Sequence, residues 1–191
     1  MATIIMSDAR IGTWSGIASA DEIRTAFTQH KQELTWLAEF LTGDEIMASA
    51  CVVDACTRSA GRNEISEEWF WLWMRETTIR SALDLQRVRI DQLASVYDRR
   101  DCIHCQHVSL SPGTDELLAI EFDTVQLRVD VLCRFVLILC GVERRSITET
   151  AQLLGITRCA VESAYSAALE SLEVIYSQFM LESYGLAGTL N

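Results

Sequence analysis

Residues Ser146 to Leu172 read SITETAQLLGITRCAVESAYSAALESL, and their pattern decides the reading of the whole chain. Ser146 followed three residues later by Glu149 is a capping box, so a helix begins there. Gly155 offers the left-handed turn that ends it, and Thr157 can cap a second helix. Between the two helices, Ala151 is small enough for a close crossing, while Leu154, Ile156 and Val161 supply the apolar filling. Together these features predict a helix-turn-helix. The plainer alternative is two short helices packed in a bundle.

Upstream of that segment the same helical chemistry recurs. Val129, Leu132, Phe135, Val136 and Leu139 form a stripe that is expected to end at Cys140-Gly141. Thr114, with Asp115 and Glu116 in the following turn, starts another helix carrying Leu117, Leu118, Phe122 and Val125. Residues 101–113 break the periodicity and hold the chain's single proline, Pro112, next to Gly113, which marks a linker. Further upstream, the long stripe Trp69, Leu72, Trp73, Ile79, Leu83, Ile90, Ala94 and Tyr97 predicts a helix from near Ser66 to Arg100. Ser19 and Glu22 form a second capping box, opening a helix through Ile23, Phe27, Leu34, Leu37 and Leu41 to Gly43. Asp44 then caps a helix whose expected inner face is Ile46, Ala50, Cys51 and Val53, stopping near Gly61.

The expectation is therefore an all-α protein with two small helical domains joined by a linker. It has an arm at 1–18, a first domain at 19–100, the linker at 101–113, a second domain at 114–176 and a tail at 177–191. The composition agrees: 49% of the 191 residues are hydrophobic, which suits packed helices and excludes a disordered chain. The most apolar run, Val131 to Val142, is interrupted by Arg134 and falls short of the roughly 20 residues a membrane-spanning helix needs. Seven cysteines without a charged and then apolar leader pattern point to a reducing compartment, with the cytoplasm as the expected location.

Charge limits the choice of partners. The net charge is −11, and Lys31 is the only lysine among sixteen basic residues, so any nucleic-acid contact must be local. Cys102 and Cys105 have a spacing that suits two zinc thiolates, and His107 is a third candidate ligand. A local fourth ligand is missing, so a pair of reduced thiols is the favoured reading and no cofactor is expected. Trp69 and Trp73 are read as core and Trp71 as exposed, rather than as base-stacking platforms. No Ser-His-Asp array, phosphate-cradling glycine loop or HExxH motif is present, so catalysis is not expected.

Three stretches carry a resemblance to a known family. The segment LCRFVLILCGVERRSITETAQLLGIT (132–157) resembles the last domain of the extracytoplasmic-function class of sigma-70 sigma factors. FLTGDEIMASACVVDA (40–55) is similar to that family's polymerase-docking helix pair, and WFWLWMRETTIRSALDL (69–85) to its −10 helix. The likeness covers most of residues 20–175. It implies core RNA polymerase and promoter DNA as partners, an anti-sigma or other protein regulator, and no membrane partner.

Carried onto this sequence, the resemblance implies DNA contacts by Arg144, Arg145, Thr157, Arg158, Cys159 and Ser163 near the −35 element. Arg75, Arg80 and Arg87 would serve the −10 region, and Asp44, Glu45 and Asp54 would bind polymerase. The chain departs from the family where its recognition helix has few bases: Val142 to Val174 holds three arginines against five glutamates. That deficit keeps open a rival reading, in which the helical scaffold binds protein as a decoy, as a regulator of a sigma factor or as a homo-oligomer.

Overall fold

The computed structural model describes residues 19–60, 69–100 and 129–183. Among these the protein is all-α, with no strand. No helix among them is long and apolar enough to cross a membrane. The expected linker, the helix expected from Thr114, and the Cys102, Cys105 and His107 cluster lie outside the described residues, as do the 1–18 arm and the Gly61 stop.

The first three helices are α1 (Ala20–Gln29), α2 (Lys31–Thr42) and α3 (Glu45–Ala60). Ser19 caps α1 with the expected reciprocal bonds to Glu22. The single helix expected from 19 to 43 is instead broken at His30, whose backbone leaves the helical region at φ −99°, ψ 15°. Neither Gly nor Pro signals that break. The His30 ring packs on Trp71, with centroids 4.8 Å apart, and its Nδ1 lies 3.1 Å from the Glu33 carboxylate. Gly43, at φ 74°, ends α2 in the left-handed region, and the Asp44 carboxylate accepts the Met47 N–H at 2.7 Å to cap α3.

α1 and α2 both pack on α3, and the inner face of α3 differs from the expected one. Ala48, Cys51, Val52, Ala55 and Ser59 are buried, whereas Ile46 is 82% exposed and Val53 67% exposed. The buried positions follow helical spacing but are mostly small, which lets α2 approach closely with Leu34, Leu37, Ala38 and Leu41. Cys51 illustrates the dry interior, since burial, followed by the nearby Asp54 charge, pushes its thiol up to about 11. Each large aliphatic or aromatic side chain buried here contributes about 1.5–3 kcal/mol.

α4 spans Phe70–Arg100, and the expected start near Ser66 lies outside the described residues. Its buried residues Ile79, Leu83, Ile90, Ala94 and Tyr97 match the expected stripe, but its first turns do not. Trp69 just before it is 63% exposed and Leu72 is exposed, while Met74 is buried in their place. Trp73 is half-buried with its indole N–H donating to Ser59 Oγ at 3.1 Å, and Trp71 is half-buried rather than exposed. The chain divides into two compact units, residues 1–86 and 87–191, so the division falls inside α4. The boundary expected at 101–113 lies outside the described residues.

In the second unit, α5 (Val131–Val136) runs on into a π-helical segment, Leu137–Val142. Asp130 caps α5 by accepting the Cys133 N–H at 2.9 Å. The helix passes the expected stop at Cys140-Gly141, and the left-handed closing residue is Arg144 (φ 54°), not a glycine. Glu143 N–H reaches Ile138 O and Arg145 N–H reaches Leu139 O, both at 2.8 Å, closing the wide segment. α6 (Ile147–Leu154) and α7 (Arg158–Ser183) follow. The second of these was expected to be short. It runs for 26 residues, past the expected domain end at 176, because nothing between Arg158 and Ser183 breaks it. Val161, Ala164, Tyr165, Ala168, Leu172 and Ile175 give it a continuous buried stripe.

Candidate nucleic-acid interface

The α6–α7 pair is assembled by local chemistry. Ser146 Oγ accepts the Glu149 N–H at 3.2 Å, and the Glu149 carboxylate accepts the Ser146 N–H at 2.9 Å. Hydrogen bonds from the Ser146 side chain and then its backbone hold the Glu149 carboxyl below its ordinary value. Gly155, at φ 67°, turns the chain, and Ile156 N–H bonds Ala151 O at 3.1 Å. Thr157 Oγ1 accepts the Ala160 N–H at 3.0 Å and so caps α7. Ala151, Leu154 and Val161 are buried as expected, and Ile156 is only half-buried.

The surface that these helices leave outward is chemically thin. Arg158 is the exposed cation of the first turn of α7, with its side chain 66% exposed and Nη2 3.9 Å from the Glu162 carboxylate. Cys159, Ser163, Ser166 and Ala167 are half-buried. Arg144 is exposed and held in the left-handed region, and Arg145 beside it is half-buried. A second acid joins Glu162 at this end, because the Thr157 hydroxyl donates to the Asp98 carboxylate of α4. Two acids therefore stand beside the start of the outward helix.

α4 reaches the pair at a second point. Arg87 Nη1 donates to the Leu154 carbonyl, one of the C-terminal acceptors that α6 leaves without a helical partner. A β-carbon at Gly155 would stand 3.4 Å from that same guanidinium. The resemblance implies a DNA contact for Arg87, and its guanidinium also makes this bond within the second unit. Thr157 likewise serves as a cap, with its hydroxyl already engaged on both sides.

The remaining candidates lie in the first unit. Arg75 stands over the Trp71 ring, 5.5 Å from its centroid, and Arg80 Nε donates to Glu76 at 2.7 Å. Asp44 and Glu45 are exposed at the start of α3. Asp54 pairs with Arg58 Nε at 2.8 Å and accepts a bond from Ser81 Oγ, while Arg58 also reaches Asp84 at 2.7 Å. That lattice ties α3 to α4 and uses the Asp54 carboxylate internally.

The sequence does not single out Asp98 and Tyr97 as organising groups, nor the burial of Arg134. Arg134 is buried, and its Nε has no hydrogen-bond partner among the described residues. Burial, followed by the charge of Arg89, pulls its pKa down. One signal in the sequence pointed to Asp98: it lies eleven residues after Arg87, three helical turns along the same face of α4. Among the described residues, no cluster of three His, Cys, Asp or Glu side chains is placed to hold a metal.

No protein-family model matches this sequence, and no curated protein matches it significantly.

Proposed function

We propose that the protein is a sigma-factor-like transcription regulator whose α6–α7 pair is a helix-turn-helix that approaches promoter DNA. The observation that carries this reading is the capped pair itself: Ser146, Gly155 and Thr157 define two helices and a tight turn, and Arg158 stands exposed at the start of the outward helix. Arg158 reads base edges from the major groove, and Arg144 and Arg145 hold the phosphate backbone. Arg75 and Arg80 serve the −10 region, and Asp44 and Glu45 dock core RNA polymerase. The role needs no catalysis and places the protein in a cytoplasm of bacterial type.

The test is co-purification of the full chain with core RNA polymerase, followed by transcription from genomic fragments. Core binding with defined start sites supports the reading, and absence of core binding rejects it. Arg158→Ala should weaken promoter binding by about 1–3 kcal/mol if the side chain reads a base.

One observation favours the protein-binding rival. Ile46, Ala50 and Val53 share an exposed face of α3, and Met47 is partly exposed beside them. An apolar helix face of that kind suits a protein partner. Self-association in solution together with failure to bind core polymerase would move the assignment to this reading.

A further inference from the structure

Arg134 lies on the rim of α5 and is nevertheless buried. Asp130, four residues earlier on the same face, and Leu137, three residues later, are half-buried, whereas Arg134 between them is 6% exposed. Its Nε is closed off from solvent and has no hydrogen-bond partner among the described residues. The carboxylate on the same face is committed elsewhere: Asp130 Oδ1 accepts the Cys133 N–H at 2.9 Å, and Oδ2 accepts the Tyr97 hydroxyl at 2.7 Å.

The other charge close by has the wrong sign. Burial pulls the Arg134 pKa down, and the nearby guanidinium of Arg89, an exposed residue of α4, adds to that pull. A guanidinium stays ionised at neutral pH despite such a shift, so this flank of the second unit holds two cations against one engaged carboxylate. A buried charge left without a partner is strongly destabilising, and folded proteins hold such charges paired. The planar guanidinium fork matches the oxygens of a carboxylate or phosphate, and two such groups suit the higher charge of a phosphate. Arg89 supplies the approach from solvent and Arg134 the buried end.

We propose that Arg134 and Arg89 form an anion site on the second unit that takes a phosphate group, either free or carried on a small organic molecule. Arg134 is too buried to reach the backbone of a duplex, so the ligand is small and the site does not depend on the promoter-binding reading. Occupancy compensates the buried charge and ties α4 to α5, so the bound chain is the more stable one.

The experiment titrates the full-length chain with inorganic phosphate and, separately, with a nucleoside monophosphate, each against chloride at matched ionic strength. Thermal melts and phosphorus NMR line widths are the readouts. A saturable rise in melting temperature with line broadening is expected for at least one of the two, and the tighter binder identifies the source of the phosphate group. Arg89→Gln, a change at an exposed position that leaves the core intact, should weaken binding about tenfold. Arg134→Met, which keeps an unbranched side chain and removes the charge, should abolish it. No saturable effect of either phosphate on the wild-type chain overturns the site. An equal effect in wild type, Arg89→Gln and Arg134→Met also overturns it, because the stabilisation is then a general action of the salt. No duplex enters the experiment, so either result leaves the promoter-binding reading untouched.

Discussion

The Tyr97 hydroxyl donates to Asp130 Oδ2 at 2.7 Å, joining the end of α4 to the residue that caps α5. The other oxygen of Asp130 accepts the Cys133 N–H, and the Cys133 thiol donates to Ala164 O at 3.2 Å in α7. Three helices of the second unit therefore meet in one chain of polar contacts inside an apolar core. Burial, followed by the bonds to Cys133 and Asp130, drives the phenol of Tyr97 well above its ordinary value. Tyr97→Phe should destabilise the second unit by about 1–2 kcal/mol, since it leaves buried partners unsatisfied. Urea denaturation checks this. In an alkaline titration, one tyrosine should stay unionised until the protein unfolds. The sign follows from the raised folded pKa: this stabilisation is whole below the unfolded tyrosine pKa of 10.0 and falls as pH rises above it.

Arg87 separates capping from DNA contact. Because its guanidinium meets the Leu154 carbonyl at the end of α6, Arg87→Ala should cost about 1–2 kcal/mol of stability. Arg87→Lys, which keeps the charge near that helix end, should recover part of the loss. Thermal melts give the first quantity, and duplex affinity measured well below the melting temperature gives the second. A residue acting only as a cap leaves that affinity unchanged. Weaker DNA binding by a fully folded Arg87→Ala protein would return the side chain to the interface.

Arg144 couples strain to its proposed role. A non-glycine residue at φ 54° costs about 1–2 kcal/mol, and Arg144 adopts it two residues after the π-helical segment ends. Arg144→Gly should therefore raise stability, by about 1 kcal/mol after allowing for the greater freedom of glycine in the unfolded chain. The same substitution should weaken duplex binding and lower the dependence of log affinity on log salt by about one unit. Higher stability with an unaltered salt dependence would keep the strain and remove the phosphate contact.

These contacts show which parts of the fold were legible in the sequence. The two capping boxes, Ser19 with Glu22 and Ser146 with Glu149, and the stops at Gly43 and Gly155 depend on bonds and backbone angles within a few residues. Such features can be read directly. The inner face of α3 could not be read by size, because close helix packing selected Ala48, Cys51, Ala55 and Ser59 and left Ile46 and Val53 outside. The break at His30 carries no local sequence signal, and Arg87 and Thr157 are engaged by partners 67 and 59 residues away. At the candidate interface, residue type indicated charge, but tertiary structure decided which charges were already used. Arg87, for example, already makes a bond at the end of α6.

The capping box of α6 gives the interface a sensitivity to acid. Hydrogen bonds from Ser146 hold the Glu149 carboxyl below 4.5, its ordinary value, and Glu22 is held down in the same way by the Ser19 backbone and side chain. A carboxyl whose folded pKa is depressed stabilises the folded state above its unfolded pKa, and that contribution is lost as pH falls through the folded value. Acidification below pH 4.5 should therefore loosen the start of α6. Glu149→Gln keeps an acceptor for the Ser146 N–H but cannot titrate, so its stability profile should be flatter over the same interval. Urea midpoints at pH 6, 5, 4 and 3.5 for the wild-type protein, Glu149→Gln and Glu22→Gln divide the two boxes. Parallel profiles for all three would show that neither carboxylate contributes to acid sensitivity.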